Sequence, residues 1–151
     1  AGPDDVYLAQ RGMRTLSVRL KRHWENGLKL ADWLGDQDMV EVVMHPALTE
    51  DPGHELWKRD FLGASGLFGI TLKPCPRKAV AAMVDGLELF GMGASWGGYE
   101  SLVLPQDPNA FRSVTPWPYE GQCLRFHIGL EDTDDLITDL DAGFKRLEAA
   151  L

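Results

Sequence analysis

A single arginine sits in the middle of an alternating apolar stretch, Cys123-Leu124-Arg125-Phe126-His127-Ile128-Gly129. Leu124, Phe126 and Ile128 share one face and Cys123, Arg125 and His127 the other, the period-two pattern of a strand with one side in a core. A guanidinium on such a strand has two chemical uses. It pairs with a nearby acid on a solvated face, or it grips a carboxylate through two parallel N–H groups, a geometry its planar fork matches. A second segment, Gly93-Ala94-Ser95-Trp96-Gly97-Gly98-Tyr99-Glu100-Ser101-Leu102, supplies what a small carboxylate pocket needs beside that arginine. Ser95 brings a hydroxyl and Trp96 an apolar wall. Gly97-Gly98 permits either a tight turn between strands or a close backbone approach to a ligand.

Other chemistries lack their residue patterns. His23, His45, His54 and His127 show no metal-ligand spacing with one another or with Cys75 and Cys123. The phosphate-loop pattern is absent, and Gly91-x-Gly93 lacks the third glycine of the dinucleotide fingerprint. No serine nucleophile elbow is expected. Asp134, Asp135 and Asp139 read as a helix start and a solvated face rather than as paired catalytic acids.

The elements that must position these residues follow from periodicity. Pro3, Asp4 and Asp5 open a helix, and Met13, Leu16, Leu20, Trp24, Leu28, Ala31 and Leu34 recur at three- and four-residue steps as far as Gly35. A helix of roughly 30 residues is about 45 Å long, longer than the diameter of about 38 Å of a compact domain of this size. Residues 1–35 are therefore expected to form a long bridging helix, unless Gly12 or Gly27 breaks it, and residues 36–151 a small domain. Strands are expected over 39–44, 67–72, 87–92, 101–104 and 123–129. Helices are expected over 52–61, from Pro76, and from a Thr133 cap to the C-terminus. The fold class is α/β, an α+β sandwich of one sheet with helices on one face.

Composition bounds the rest. The chain has 151 residues, 44% of them hydrophobic, enough for one domain with a real core. A formal charge of −8 argues against nucleic acid as a partner, because phosphate binding needs a basic surface. No apolar run is long enough to span a membrane and no secretory leader is visible. Two widely separated cysteines suit free thiols in a reducing cytoplasm better than a disulfide.

These residues meet a known pattern. Leu8-x-x-Arg11-Gly12-Met13-Arg14-Thr15-Leu16, His45-Pro46-Ala47-Leu48, Gly63-Ala64-Ser65-Gly66-Leu67-Phe68, Ser95-Trp96-Gly97-Gly98-Tyr99-Glu100-Ser101-Leu102 and Arg125-x-x-Ile128-Gly129-Leu130-Glu131-Asp132 resemble the C-terminal part of the pyridoxal-phosphate enzymes of cysteine and methionine metabolism, most closely their cystathionine β-lyase branch. The resemblance runs the length of the chain. It implies a bridging helix and a small domain with a mostly antiparallel sheet. In the intact protein it implies a cytoplasmic homotetrameric carbon–sulfur lyase that converts cystathionine to homocysteine, pyruvate and ammonia. Arg125 would grip the substrate α-carboxylate, with Ser95 and Trp96 lining that site. Pyridoxal phosphate would be bound to a lysine of a separate large domain and act there as the electron sink.

None of the six lysines here, Lys21, Lys29, Lys58, Lys73, Lys78 and Lys145, resembles that lysine's context. Ala94 stands where the β-lyases often have tyrosine. The piece alone is therefore expected to be inactive. Two other readings remain: a γ-lyase or γ-synthase of the same family, against which Trp96 and Tyr99 speak, and a free-standing or partner-dependent binding module for a small carboxylate.

Overall fold

The computed structural model describes residues 1–151. Asp5 accepts the Gly2 N–H at 2.9 Å, and α1 (Pro3–Met13) starts where the proline and the acidic first turn place it. The helix does not run on. The Gly12 carbonyl accepts from Thr15 N at 3.2 Å, Thr15 Oγ1 at 3.3 Å and Arg19 Nη2 at 2.8 Å. These bonds divert the ladder, and α2 (Leu16–Gly35) begins anew. The single long helix expected over residues 1–35 is thus two helices. Gly27 remains helical for a packing reason: a Cβ there would lie 3.2 Å from Gly66 Cα and Ser65 O, so the glycine lets that backbone lie on α2.

The sheet has five strands, β1 (Val40–Met44), β2 (Leu67–Leu72), β3 (Gly91–Met92), β4 (Leu102–Gln106) and β5 (Cys123–His127), in the order β1-β2-β5-β4-β3. All neighbours are antiparallel except β3 and β4. The strand expected over 87–92 is cut to two residues because Asp139 draws its first half away. That carboxylate accepts Glu88 N at 3.0 and 3.1 Å and Leu89 N at 2.8 Å. Asp139 is a bracket rather than part of a solvated face.

Three further helices follow: α3 (His54–Asp60), α4 (Arg77–Val84) and α5 (Thr133–Ala149). The cap of α5 is Asp132, one residue before the expected Thr133, and its carboxylate accepts Asp134 N at 2.8 Å. Helices α2, α4 and α5 cover one face of the sheet. Leu30, Leu34, Ile70, Met83, Leu124, Phe126, Ile128 and Leu140 meet there with no exposed surface. Each such side chain stabilises the fold by about 1.5–3 kcal/mol. Phe68 stacks on Phe126 at 5.7 Å between ring centroids and Phe90 meets the same ring edge-on at 5.8 Å. The packing fixes β5 as the central strand and turns Arg125 and His127 to the opposite face.

Candidate substrate-anion site

On that opposite face the segment between β3 and β4 lies across β5. Arg125 Nη2 donates to Ala94 O at 2.8 Å, Ser95 O at 3.3 Å and Gly93 O at 3.4 Å. His127, two residues on, places its ring against the same backbone: Nε2 lies 3.1 Å from Gly98 O, and Gly97 N lies 3.1 Å from Nε2 and 3.4 Å from Nδ1. Past the turn, Leu130 N donates to Tyr99 O at 2.8 Å. Glu131 accepts Ser101 N at 2.7 Å and the Ser101 hydroxyl at 2.9 Å. Residues 93–101 are stitched, point by point, to residues 125–131. Gly97 makes the turn possible, with φ at +86°, a conformation that favours glycine.

Helix α2 secures the other side of the same strand end. His23 Nδ1–H donates to Ile128 O at 2.7 Å, and Asn26 Nδ2 donates to Gly129 O at 3.0 Å and Glu131 O at 3.2 Å.

Arg125 pairs with no acid: none of the ion pairs in the structure includes it. Its three acceptors are backbone carbonyls and all fall on Nη2. The Nε and Nη1 N–H groups have no acceptor in the protein. A half-buried, permanently charged fork whose orientation is set by one nitrogen is prepared to take an anion with the others. Ser95 and Trp96 ride on the stitched turn, Trp96 being 61% exposed, so the turn presents both outward beside the guanidinium.

The nucleophile-elbow pattern that the sequence was expected to lack is present, and the residues that stitch the turn carry no local signal of that role. Gly93-Ala94-Ser95-Trp96-Gly97 carries the GxSxG spelling of a nucleophile elbow. Its setting differs from an elbow, since the turn joins two strands instead of a strand and a helix, and no imidazole bonds the Ser95 hydroxyl. The roles of His127, Glu131 and Ser101 were also missed. Their bonds reach backbone or side chains about thirty residues away, and only the i, i+2 relation of Arg125 to His127 hinted at a shared face.

Four of the six lysines are engaged in surface ion pairs, and the lysine side-chain hydrogen bonds go to Thr133, Asp134 and Asp141, none to the 93–101 turn. The groups around the turn fit an anionic substrate group. They do not fit the carbonyl of pyridoxal phosphate, which needs an amine beside it.

An α/β domain that carries a guanidinium on its central strand and a glycine-rich turn across it is the class of protein these features define. Residues 1–145 match the sequence profile described as Cys/Met metabolism PLP-dependent enzyme, and the chain belongs to that family. It is 49% identical over 148 residues to the cystathionine beta-lyase MetC of Escherichia coli (strain K12), covering 95% of this chain and 38% of that protein. It is 47% identical over 145 residues to an L-alanine/L-glutamate racemase of Wolbachia pipientis wMel, covering 95% and 36%. The crystal structure of cystathionine gamma synthase from Xanthomonas oryzae pv. oryzae in complex with cystathionine superposes with a TM-score of 0.85 at 36% identity, covering all of this chain and 40% of that one. The chain thus spans well under half the length of the relatives it matches.

Proposed function

We propose that this chain is the small-domain portion of a pyridoxal-phosphate-dependent carbon–sulfur lyase and forms the wall of its active site that binds the substrate's α-carboxylate. The substrate is cystathionine, and the products of β-elimination are homocysteine, pyruvate and ammonia. The observation that carries the reading is the Arg125 guanidinium, held by three carbonyls on one nitrogen with the rest of its fork free. Arg125 binds and orients the amino-acid head. Ser95 and Trp96 shape the edge of that site. The electron sink for α-proton loss comes from pyridoxal phosphate held by the remainder of the enzyme.

That remainder also explains the uncovered apolar surface. No residue of α1 is buried, and Val6, Tyr7, Leu8 and Met13 are exposed. Leu20, Trp24, Leu28 and Leu62 line a groove of about 830 Å3. A large domain and, in a cytoplasmic homotetramer, neighbouring subunits would cover these faces.

The test is steady-state kinetics of the intact enzyme with Arg125→Lys. A point charge in place of the fork loses a charge-assisted hydrogen bond, and KM for cystathionine is expected to rise about tenfold to a hundredfold. An unchanged KM removes the carboxylate role. The likeness to a cystathionine gamma synthase keeps γ-chemistry as a second reading, and products decide it: cysteine in place of homocysteine marks γ-cleavage.

A further inference from the structure

His127 lies under the turn and has no part in the scheme above. It is 2% exposed and shares a face of β5 with Arg125. Its ring bonds the backbone immediately after Ser95 and Trp96: Gly97 N lies 3.1 Å from Nε2 and 3.4 Å from Nδ1, and Gly98 O lies 3.1 Å from Nε2. A neutral imidazole has one N–H and one lone pair. With the proton on Nε2 it donates to Gly98 O at 3.1 Å, which leaves Nδ1, at the longer 3.4 Å, as the nitrogen that accepts the Gly97 N–H, so both peptide groups are satisfied. A second proton fills the Nδ1 lone pair and sets one N–H against another. Packing does not replace the ring here, because a Cβ at Gly97 or Gly98 would have no neighbour within 4 Å.

We propose that His127 is a positioning residue of the carboxylate clamp: its neutral imidazole holds the Gly97–Gly98 backbone and thereby sets Ser95 and Trp96 against the Arg125 guanidinium. The proposal rests on the carboxylate reading of Arg125. The groups that face the ring are His23 from α2, at 5.1 Å between centroids, Arg125 beside it on β5, and Glu131 beyond the strand end. Burial acts most strongly and holds the imidazole below its ordinary pKa. His23 and Arg125 add to that, while the Gly98 bond and Glu131 oppose it. The clamp is therefore intact at neutral pH and loosens in acid. Because the carboxylate is held alike before and during the reaction, the loss falls on KM rather than kcat.

The experiment measures kcat and KM for cystathionine against pH in the intact enzyme and in His127→Phe, His127→Gln and Arg125→Lys. His127→Phe is expected to raise KM at neutral pH about tenfold, from two lost neutral hydrogen bonds, with kcat within about twofold. His127→Gln keeps one donor and one acceptor. It should restore most of the affinity and abolish the rise of KM in acid expected with His127. If His127→Phe does not fold, the pH profile of His127→Gln decides. An unchanged KM in His127→Phe, or an acid rise that persists in His127→Gln, overturns the proposal. An unchanged KM in Arg125→Lys instead overturns the carboxylate reading beneath it.

Discussion

Arg125 and Gly129 show how much the geometry asks of single residues. Arg125 is legible in the sequence as the charged member of an alternating strand, but its partners are not. Carbonyls of Gly93, Ala94 and Ser95 carry no side-chain signature, so sequence reasoning offered an acid or a ligand and missed the backbone that orients the fork. Gly129 is the converse case. A Cβ there would collide with the Tyr99 carbonyl and the Glu131 carboxylate, the two groups that pin the far end of the turn. Gly129→Ala is expected to destabilise the intact enzyme by about 1–3 kcal/mol and to raise KM as the turn shifts. Denaturation midpoints and kinetics of that one variant check both effects, and a midpoint equal to wild type would show that the turn yields to the added methyl without cost.

At the scale of elements, the turn, the end of β5 and α2 form one hydrogen-bonded unit. Ser101 has no exposed surface, and its N–H and hydroxyl both donate to Glu131. Glu131→Ala leaves a buried N–H without an acceptor, at a cost of about 1–3 kcal/mol, measurable as a lower urea midpoint. Glu131→Gln, which keeps an acceptor oxygen, should cost less. Titration adds a second prediction. Burial, the largest cause, holds His45 and His127 below the ordinary imidazole pKa. As pH falls the unfolded chain binds protons first, so stability declines below about pH 6.5 and levels off beneath the folded-state values. The urea midpoint of the 151-residue chain should hold steady above about pH 7 and fall in mild acid, with a smaller fall in His127→Gln. A midpoint that rises in acid contradicts the assignment of buried neutral rings.

At the scale of the molecule, the sheet, its core face and the order of elements were legible because alternation and helical periodicity record burial directly. Three features were not settled by periodicity, the break at Gly12 having been left open as an alternative, and each turns on a hydrogen bond from a side chain to distant or local backbone. Gly12 O accepting from Thr15 and Arg19 splits the first helix. Asp139 holding Glu88 and Leu89 shortens β3, and Asp132 takes the cap of α5. Of the site, the arginine and the turn were readable, whereas the stitching by His127 and Glu131 needed the fold. On the proposed reading the chain supplies the carboxylate wall, and no lysine hydrogen-bonds the turn beside Arg125. Mixed with pyridoxal phosphate it should show no specific, saturable cofactor absorbance and no turnover of cystathionine. A saturable absorbance change at one equivalent would show a lysine site within these 151 residues.

Whether Arg125 recognises a carboxylate is tested most directly by comparing inhibition of the intact enzyme by glycine and by glycinamide, which differ in that group alone, in wild type and in Arg125→Lys. Wild type should favour glycine by at least about tenfold, and Arg125→Lys should lose most of that preference with glycinamide binding nearly unchanged. A preference for glycine that survives intact in Arg125→Lys would contradict the account.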